Sequence, residues 1–444
     1  MEERIRELIT ENNFKEIKAI INDINSADIA DILNDLKIND VAKIYRLLKK
    51  DVAVEVFAEL DVVVAGELLE VLSDTEAANI IDEIAADDAT DVLEEMPANI
   101  VDKLLKKCSP TTRKDINKLL NYKDDSAGSI MTVEYAELKS EYSVEKAISV
   151  LKSTYDKYET INTCFIVDKN RRLVGQVNVI DLLFSERDIL IEDILNRDID
   201  FVNTSTDQEE VADIFKKYNL SEIAVVDSET RLVGIITIDD VVDVLEEEAS
   251  EDIAKISGML PTEKSYLKLS LWDIYKSRMP WLLFLMISAT FTGAIISNFE
   301  GALASAAILT VFMPMVMGTG GNAGGQSSVT VIRALSLDEI EFKDAFKVLL
   351  KEGLVGIICG FTLAFCNFFK LLWFDRVGVM VSLVVCLSLF LTVLFAKIIG
   401  AILPILAAKI KLDPAVMANP IITTIVDAGS LFVYFQVASL LLGL

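Results

Sequence analysis

The sequence predicts a multidomain membrane protein with four parts: an all-α superhelical N-terminal domain, an α/β domain made of a tandem repeat, a connecting helix, and a transmembrane domain of five helices. Three observations support this prediction. An apolar pattern recurs every twelve residues near the N-terminus, two later segments match each other, and the last part of the chain is mostly uncharged. The predicted boundaries are 1–125, 126–250, 244–277 and 278–444.

Charge divides the 444-residue chain into two regions. Residues 1–260 hold 58 Asp and Glu against 29 Lys and Arg, whereas residues 261–444 hold 11 and 13. A strongly acidic surface repels nucleic acid and attracts cations, so we expect no nucleic-acid partner. The second region is apolar enough for membrane lipid to surround it.

The residue types also exclude several kinds of site. The chain contains no histidine, and its five cysteines show no paired spacing, which fits a reducing compartment. Catalytic sets that need histidine are therefore excluded, no phosphate-binding P-loop motif is present, and we expect no enzyme. A metal site would be built mainly from oxygen ligands, which suit Mg²⁺, Ca²⁺ or Mn²⁺.

Residues 1–125 carry a short helical repeat. Spacing within each unit follows a helical stripe, so each unit fits a short helix and a turn, and such units must stack to bury their apolar faces. Between Asp51 and Asp102 there are 16 acidic residues and no Lys or Arg. These carboxylates form either a solvated face or a face that binds divalent cations. The repeating columns are Leu36, Leu48, Leu60, Leu72, Ile84, Met96; Ile32, Ile44, Val56, Leu68, Ile80, Val92, Leu104; and Leu33, Tyr45, Phe57, Leu69, Ile81, Leu93, Leu105.

Residues 165–183 and 225–242 align at an offset of 59, and each predicts a strand, a polar turn, a second strand and a helix. This tandem resembles a pair of CBS modules, and a Gly-x-x-Thr-x-x-Asp pattern typical of them contains Thr237 and Asp240. The resemblance implies an adenine-nucleotide site, such as one for ATP, with the hydroxyl on a phosphate and the carboxylate on the ribose. In the first copy Asn178 replaces the threonine, so a scaffold or sensor hinge is the alternative.

A second acidic surface follows the repeat. It lies between the α/β domain and the membrane domain, where a gate would need to be. Four carboxylates fall on one helix face, at steps of three, four and four residues, and two more lie beside it. They are Asp240, Asp243, Glu247 and Glu251, with Glu248 and Asp252 beside them.

Five uncharged or nearly uncharged stretches predict five membrane spans, since about 20 apolar residues cross a bilayer. Lys and Arg cluster before Trp281 and in the segments 333–351 and 397–411. The positive-inside rule therefore predicts a multi-pass membrane protein with a cytoplasmic N-terminus and an outside C-terminus. The stretches are 279–299, 301–332, 353–369, 377–396 and 414–444.

Asp427 is the only charged residue between Pro414 and Leu444. An ionisable group inside a membrane is costly, so it predicts an ion pathway; a polar contact between helices is the alternative. The segment 313–329 is rich in glycine, and we expect it to be a broken or bent span that exposes polar backbone. Its polar side chains are Asn322 and Gln326, and Pro420, Thr423 and Tyr434 share the predicted face of Asp427.

The whole chain resembles the MgtE magnesium channels and transporters. The resemblance rests on "SAGSIMT" (126–132), "GTGGNAGGQSS" (318–328) and "DPAVMANPIITTIVDAG" (413–429). It implies a homodimer with a Mg²⁺-selective pore on the two-fold axis, where Asp427 holds hydrated Mg²⁺ and Asn419 lines the path. It also implies uptake that cytosolic Mg²⁺ shuts off, with residues 244–277 acting as a plug helix.

The resemblance further implies a set of regulatory Mg²⁺ ligands in this chain. Two positions depart from the family pattern: Asn219 stands where an Asp is usual, and Gly325 where an Asn is frequent. Transport of Mn²⁺ or Ca²⁺, efflux of Mg²⁺, and a membrane-anchored nucleotide sensor are the alternative functions. The implied ligands are Glu55, Asp87, Asp91, Asp207, Glu209, Asp240, Asp243, Glu248, Glu251, Asp252 and Asp413.

Overall fold

A computed structural model of the chain describes seven ranges of residues. The chain divides into two compact units, an N-terminal unit of residues 1–246 and a C-terminal unit of residues 247–444. The described ranges are 2–11, 13–21, 24–262, 266–299, 307–337, 339–417 and 419–443.

Short helices build the first part of the N-terminal unit. From α2 to α10, each helix starts twelve residues after the one before it, which confirms the predicted repeat. The repeated apolar columns pack into one core. Ser73 and Glu76 form a capping box at the start of α7, which satisfies backbone N–H groups that have no partner within the helix. The helices are α1 (Glu2–Thr10), α2 (Phe14–Ile21), α3 (Ser26–Asn34), α4 (Ile38–Tyr45), α5 (Lys50–Ala58), α6 (Val62–Val71), α7 (Asp74–Ile81), α8 (Ala86–Glu94), α9 (Ala98–Leu105) and α10 (Pro110–Leu119).

Two copies of one α/β unit follow. Each contains a three-stranded sheet in which the first two strands are parallel and the last two antiparallel, so the predicted strand–turn–strand–helix order is confirmed. Arg171 and Thr230 are equivalent turn residues, and both have positive φ. The first copy contains β1 (Tyr135–Lys139), α11 (Val144–Thr154), β2 (Thr160–Val167), β3 (Leu173–Asn178), α12 (Val179–Phe184) and α13 (Ile191–Ile194); the second contains β4 (Phe201–Asn203), α14 (Gln208–Tyr218), β5 (Glu222–Val226), β6 (Leu232–Thr237) and α15 (Ile238–Ile256).

The segment 126–132 joins the first copy to the sheet of the second. The backbone N–H of Thr132 donates to the carbonyl of Ile235 at 2.8 Å, and the N–H of Ile235 donates back at 3.0 Å. A Cβ at Gly234 would lie 2.7 Å from the Thr132 carbonyl oxygen. This close backbone approach explains why glycine occupies that strand position.

The connecting helix differs from the prediction, because residues 244–277 do not form one helix. Helix α15 ends at Ile256, and the next helix begins at Leu271. Gly258 has a φ of +68°, a conformation that ends helices and that glycine adopts readily. Ser270 then caps the new helix in a capping box with Asp273.

Long helices dominate the C-terminal unit. Within the described residues, four helical segments are long and apolar enough to cross a membrane: Leu271–Asn298, Phe342–Trp373, Val379–Lys409 and Pro414–Leu442. A 3₁₀ turn, Ala307–Phe312, precedes the glycine-rich helix, and residues 301–306 of the second predicted span lie outside the described ranges. The long helices are α16 (Leu271–Asn298), α17 (Met313–Ser336), α18 (Ala345–Trp373), α19 (Val379–Lys409) and α20 (Asn419–Leu442).

The glycine-rich segment is not broken, so that part of its prediction is wrong, whereas a bend in it stays a prediction. Helix α17 is continuous through its glycines, and Pro314 lies in its first turn, where proline is tolerated. Gly320 and Gly324 serve close packing instead. A Cβ at Gly320 would lie 2.7 Å from Thr392 of α19, and a Cβ at Gly400 would overlap the Gly324 carbonyl oxygen. Small residues thus let α17 and α19 approach closely.

Lys397 bounds the uncharged stretch 377–396, but the apolar pattern of the sequence continues past it. Helix α19 continues to Lys409, so Lys397 lies inside it with a side chain only 7% exposed. Its ammonium is 3.9 Å from the Glu352 carboxylate of α18, which accepts a hydrogen bond from Ser327 at 2.5 Å. A buried partner, and not a loop position, therefore accounts for this charge.

Candidate functional site

A cleft in the C-terminal unit contains the intramembrane carboxylate. It has a volume of about 390 Å³ and lies between α17 and α20. The carboxylate is half-buried, and a Cβ built on Gly321 would lie 4.0 Å from its Oδ1. Glycine at this position therefore leaves room beside the carboxylate. The lining residues are Pro314, Met317, Gly318, Gly321, Asn322, Thr423 and Asp427.

One face of α17 is exposed and polar. Gly318, Asn322, Gln326 and Thr330 follow one another at steps of four residues, so they share a helix face, and all four are exposed. Because amides at membrane depth are costly against lipid, this face requires water or protein against it. We call these four residues the α17 polar stripe.

Helix α20 presents the other wall of the cleft. Thr423 and Asp427 line it, and in the described part of the chain no lysine or arginine pairs with Asp427. Tyr434, predicted on the same face, is instead fully buried, and its hydroxyl donates to the Leu309 carbonyl at 2.9 Å. The predicted polar face is thus confined to the first half of the helix.

Asn419 and Gly325 are two further positions that the family resemblance singles out. Asn419 is the first residue of α20, but its side chain lies outside the described part of the chain, so its lining role stays a prediction. Gly325 is buried within α17, next to the exposed Gln326. A glycine there offers no side chain to the cleft.

An acidic cluster lies in the N-terminal unit, where α8 meets the α/β repeat. It consists of Asp87 and Asp88 of α8, Asp240 of α15, and Glu134 and Glu159 of the first copy. Burial, followed by the charge of Asp240, raises the pKa of Asp87 well above its usual range and that of Asp88 to about 7. Burial likewise raises the pKa of Asp240 and of Glu134 to about 6, and it also raises that of Glu159. We call these five residues the α8 acidic cluster.

The chemistry of this cluster fits a hard divalent cation. Asp87 is only 7% exposed, and its Oδ1 has no hydrogen-bond partner among the described residues. Buried carboxylates that raise one another's pKa are stabilised by a positive charge between them. In the ranges that the structure describes, no three acidic side chains already converge on a preformed metal site. A cation would therefore have to draw the carboxylates together.

Thr237 and Asp240, the predicted nucleotide-binding pair, already contact each other. The Thr237 hydroxyl donates to Asp240 Oδ2 at 2.6 Å, and the Thr237 backbone N–H donates to the same oxygen at 3.3 Å. This arrangement caps the start of α15. Because Asp240 also belongs to the α8 acidic cluster, nucleotide and cation sites would share a residue.

The remaining predicted ligands of the N-terminal unit lie at its surface. Asp207 caps α14 by accepting a hydrogen bond from the Glu209 backbone N–H at 3.1 Å. Asn219 ends that helix in a left-handed conformation, which asparagine tolerates. Of the predicted ligands of this unit, only Asp87 and Asp240 meet in the α8 acidic cluster, and sequence analysis missed the other three members. The exposed residues are Glu55, Asp91, Asp207, Glu209 and Asp243.

A further acidic group in the C-terminal unit contains a lysine that sequence analysis missed. Lys255 of α15 lies 2.7 Å from a Glu251 carboxylate oxygen and 2.7 Å from an Asp413 carboxylate oxygen. Burial alone lowers the pKa of Lys255, but the hydrogen bonds to Asp413 and Glu251 raise it overall. Burial, followed by the Asp413 charge, raises the pKa of Asp252. Glu248 lies one turn earlier and is partly buried.

Comparisons with known proteins agree with this architecture. Family profiles described as "MgtE intracellular N domain", "CBS domain" and "Divalent cation transporter" match residues 3–125, 191–247 and 313–437. The chain is 38% identical over 75% of its length to "Magnesium transporter MgtE" of Thermus thermophilus, covering 74% of that protein. It is 35% identical over 76% of its length to the protein of the same name from Bacillus subtilis, again covering 74% of it.

A solved structure is similar to the first part of the chain. The cytosolic domain of the Mg²⁺ channel MgtE, crystallised in complex with ATP, matches with a TM-score of 0.52 and 31% identity. The match covers 55% of this chain and all of that one. The predicted multidomain membrane architecture is thereby confirmed, whereas the count of five spans stays a prediction. The chain belongs to the MgtE family of magnesium transporters.

Proposed function

We propose that this protein carries Mg²⁺ across the membrane along the cleft at Asp427. The observation that carries the proposal is a half-buried membrane carboxylate without a basic partner in the described residues, facing Gly318 and Asn322 of the α17 polar stripe across an open cleft. Mg²⁺ sheds its water reluctantly, so a carboxylate with amide groups nearby suits a hydrated ion. Inward flux through such a path makes the protein an uptake channel or transporter with no catalytic step.

We also propose that two copies complete the path. The α17 polar stripe is exposed within one chain, and a second copy would cover it and supply a second Asp427. Apolar side chains on the α/β repeat are exposed as well, among them Phe184 at 88%, Leu183 at 58% and Val242 at 54%. Patches of this kind typically mark protein interfaces. A homodimer with its pore on the two-fold axis accounts for both surfaces.

Cytosolic Mg²⁺ is proposed to close this path through the acidic residues. The α8 acidic cluster gathers repelling carboxylates with raised pKa values, and bound Mg²⁺ would favour the conformation in which they lie together. Helix α15 carries Asp240 at its start and Glu251 near its end, so two of the implied ligands belong to one helix. The exposed ligands implied by the family resemblance would add further sites.

Nucleotide is a second proposed ligand of the α/β repeat. It is supported by the MgtE cytosolic domain crystallised with ATP and by the Thr237–Asp240 pair. The proposed orientation places the N-terminal unit in the cytoplasm, because Lys and Arg flank the start of α16 and the segment 333–351. In this orientation the C-terminus lies outside the bacterial cytoplasmic membrane.

Uptake of Mg²⁺ into proteoliposomes tests the proposed pathway. We expect Asp427→Asn to lower Mg²⁺ influx at least about tenfold, because an amide loses the charge that attracts the ion. Glu339→Gln is the matched control, since Glu339 is exposed in the same unit, and its influx should equal that of the wild type. Equal influx in Asp427→Asn and the wild type would exclude the pathway at this carboxylate.

A further inference from the structure

Lys255 lies where the end of α15 meets the start of α20. Its ammonium contacts carboxylate oxygens of Glu251 and Asp413, each at 2.7 Å, and its side chain is 24% exposed. Asp413 precedes α20 by six residues and accepts a hydrogen bond from the Ala415 backbone N–H at 2.7 Å. One lysine thus connects two chain segments through a pair of short charged contacts.

The residues that follow Lys255 pack against the pore helix. A Cβ built on Gly258 would lie 2.7 Å from Pro420 in the first turn of α20 and 3.8 Å from the Trp281 ring. The backbone N–H of Leu260 donates to the Ser277 carbonyl at 2.9 Å. The end of α15 therefore contacts both the helix that carries Asp427 and the first helix of the C-terminal unit.

An acidic group of this kind would repel itself without a cation. Glu251 and Asp413 contact the ammonium at 2.7 Å each, and the charges of Asp413 and Lys255 both act on the pKa of Asp252. The Lys255 ammonium is covalently part of the chain, so its presence beside these carboxylates does not depend on the ion concentration of the solution. This differs from the α8 acidic cluster, where the strongest charged neighbours are other carboxylates.

We propose that Lys255 is a tethered cation that holds the end of α15 against the start of α20 even when Mg²⁺ is absent. It occupies the position between Glu251 and Asp413 that a divalent cation could otherwise fill. Lys255 is thus a positioning residue, and it gives the contact a component that does not depend on Mg²⁺. Only the statement that this contact restrains transport rests on the proposed function.

Tryptophan fluorescence of the full-length protein tests the contact without transport. Trp272→Phe and Trp373→Phe leave Trp281 as the sole tryptophan, because the chain has three. In this background, Lys255→Met should red-shift the Trp281 emission in Mg²⁺-free buffer, as water replaces the residues around Gly258. Adding Mg²⁺ should reverse the shift in Lys255→Met and change the parent spectrum much less.

A second variant of the contact and a control variant complete the test. Asp413→Asn removes one charge but keeps an oxygen that can accept from Ala415, so it should reproduce the shift even if Lys255→Met folds poorly. Lys347→Met removes an exposed lysine from an ion pair with Asp344 in the same unit and should leave the spectrum unchanged. Spectra of Lys255→Met and Asp413→Asn that match the parent without Mg²⁺ would overturn the proposal.

Transport separates this proposal from the proposed gate. Lys255→Met should raise Mg²⁺ influx several-fold when the N-terminal side holds no Mg²⁺, with little change at high Mg²⁺. A spectral shift without any change in influx supports the tethered cation and contradicts its role in restraining transport. Influx of the Asp427→Asn variant tests only the proposed pathway. Its result does not change the interpretation of the fluorescence spectra of Lys255→Met.

Discussion

The α8 acidic cluster and the carboxylates of the C-terminal unit differ in what neutralises them. In the cluster, the negative charge of Asp240 raises the pKa of Asp87 and Asp88, and none of the strongest charged neighbours of these two residues is basic. In the C-terminal unit, Glu352 has Lys397 and Asp413 has Lys255, whereas Asp427 has no such partner in the described residues.

This difference indicates where the protein depends on cations from solution. A carboxylate with its own lysine is neutralised at any ion concentration, and it serves to hold helices together. A buried carboxylate without one is stable only when protonated or when a cation binds. Within the described residues, the two regions without such a lysine are the proposed sensor and the proposed pathway, which is where dependence on Mg²⁺ would be useful.

The largest effect should come from removing the buried cation of the C-terminal unit. Lys397→Met leaves the Glu352 charge buried without a partner, and the loss of one member of a buried pair costs about 3–5 kcal/mol. We expect a clear drop in the thermal unfolding temperature of the purified full-length protein. The double variant Glu352→Gln, Lys397→Met should recover most of the loss, because no buried charge then remains and Gln can still accept from Ser327. A single variant as stable as the wild type would show that Glu352 is already neutral or hydrated.

The sequence predicted much of the fold because its signals are local and repeated. The twelve-residue period gave the helix starts, and the offset of 59 gave the two α/β copies. The errors have a common cause: helix ends and charge partners depend on groups far away in the chain. Lys397 bounds an uncharged stretch in the sequence, and only the structure places Glu352, 45 residues earlier, beside it.

The candidate sites show the same limit. Asp427 could be found from sequence because one carboxylate in an apolar segment is conspicuous. Glu134 and Glu159 could not, since only folding places them with Asp88 in one cluster. For Lys255, the helical spacing to Glu251 was visible in the sequence, but the contact with Asp413 spans 158 residues.

An intermediate effect should come from removing charge from the α8 acidic cluster. Asp88 has a folded-state pKa of about 7 against about 3.9 for an ordinary aspartate, so its ionisation opposes folding. The contribution of Asp88 to the free energy of unfolding should be most favourable below about pH 4 and should be lost as pH rises through about 7. Without divalent cations at pH 8, Asp88→Asn should therefore stabilise the N-terminal unit by about 2–4 kcal/mol, and this gain should shrink toward pH 4.

Denaturant unfolding of the full-length protein at several pH values measures this gain. The control is Asp102→Asn, an exposed residue of the neighbouring helix, which should change stability by less than about 0.5 kcal/mol. Mg²⁺ should stabilise the wild type more than Asp88→Asn, because the ion replaces the protons that the cluster otherwise retains. Parallel pH profiles for Asp88→Asn and the wild type would contradict a strained cluster.

The smallest effect should come from an ion pair at the surface of the C-terminal unit. Lys370 lies 2.6 Å from Asp375, but its side chain is 50% exposed, so water already screens the pair. Lys370→Met should lower stability by less than about 1 kcal/mol, although its ion pair is shorter than that of Lys397. Thermal unfolding of both variants under one set of conditions makes the comparison. A larger loss in Lys370→Met than in Lys397→Met would mean that contact distance, and not burial, sets the importance of the internal lysines.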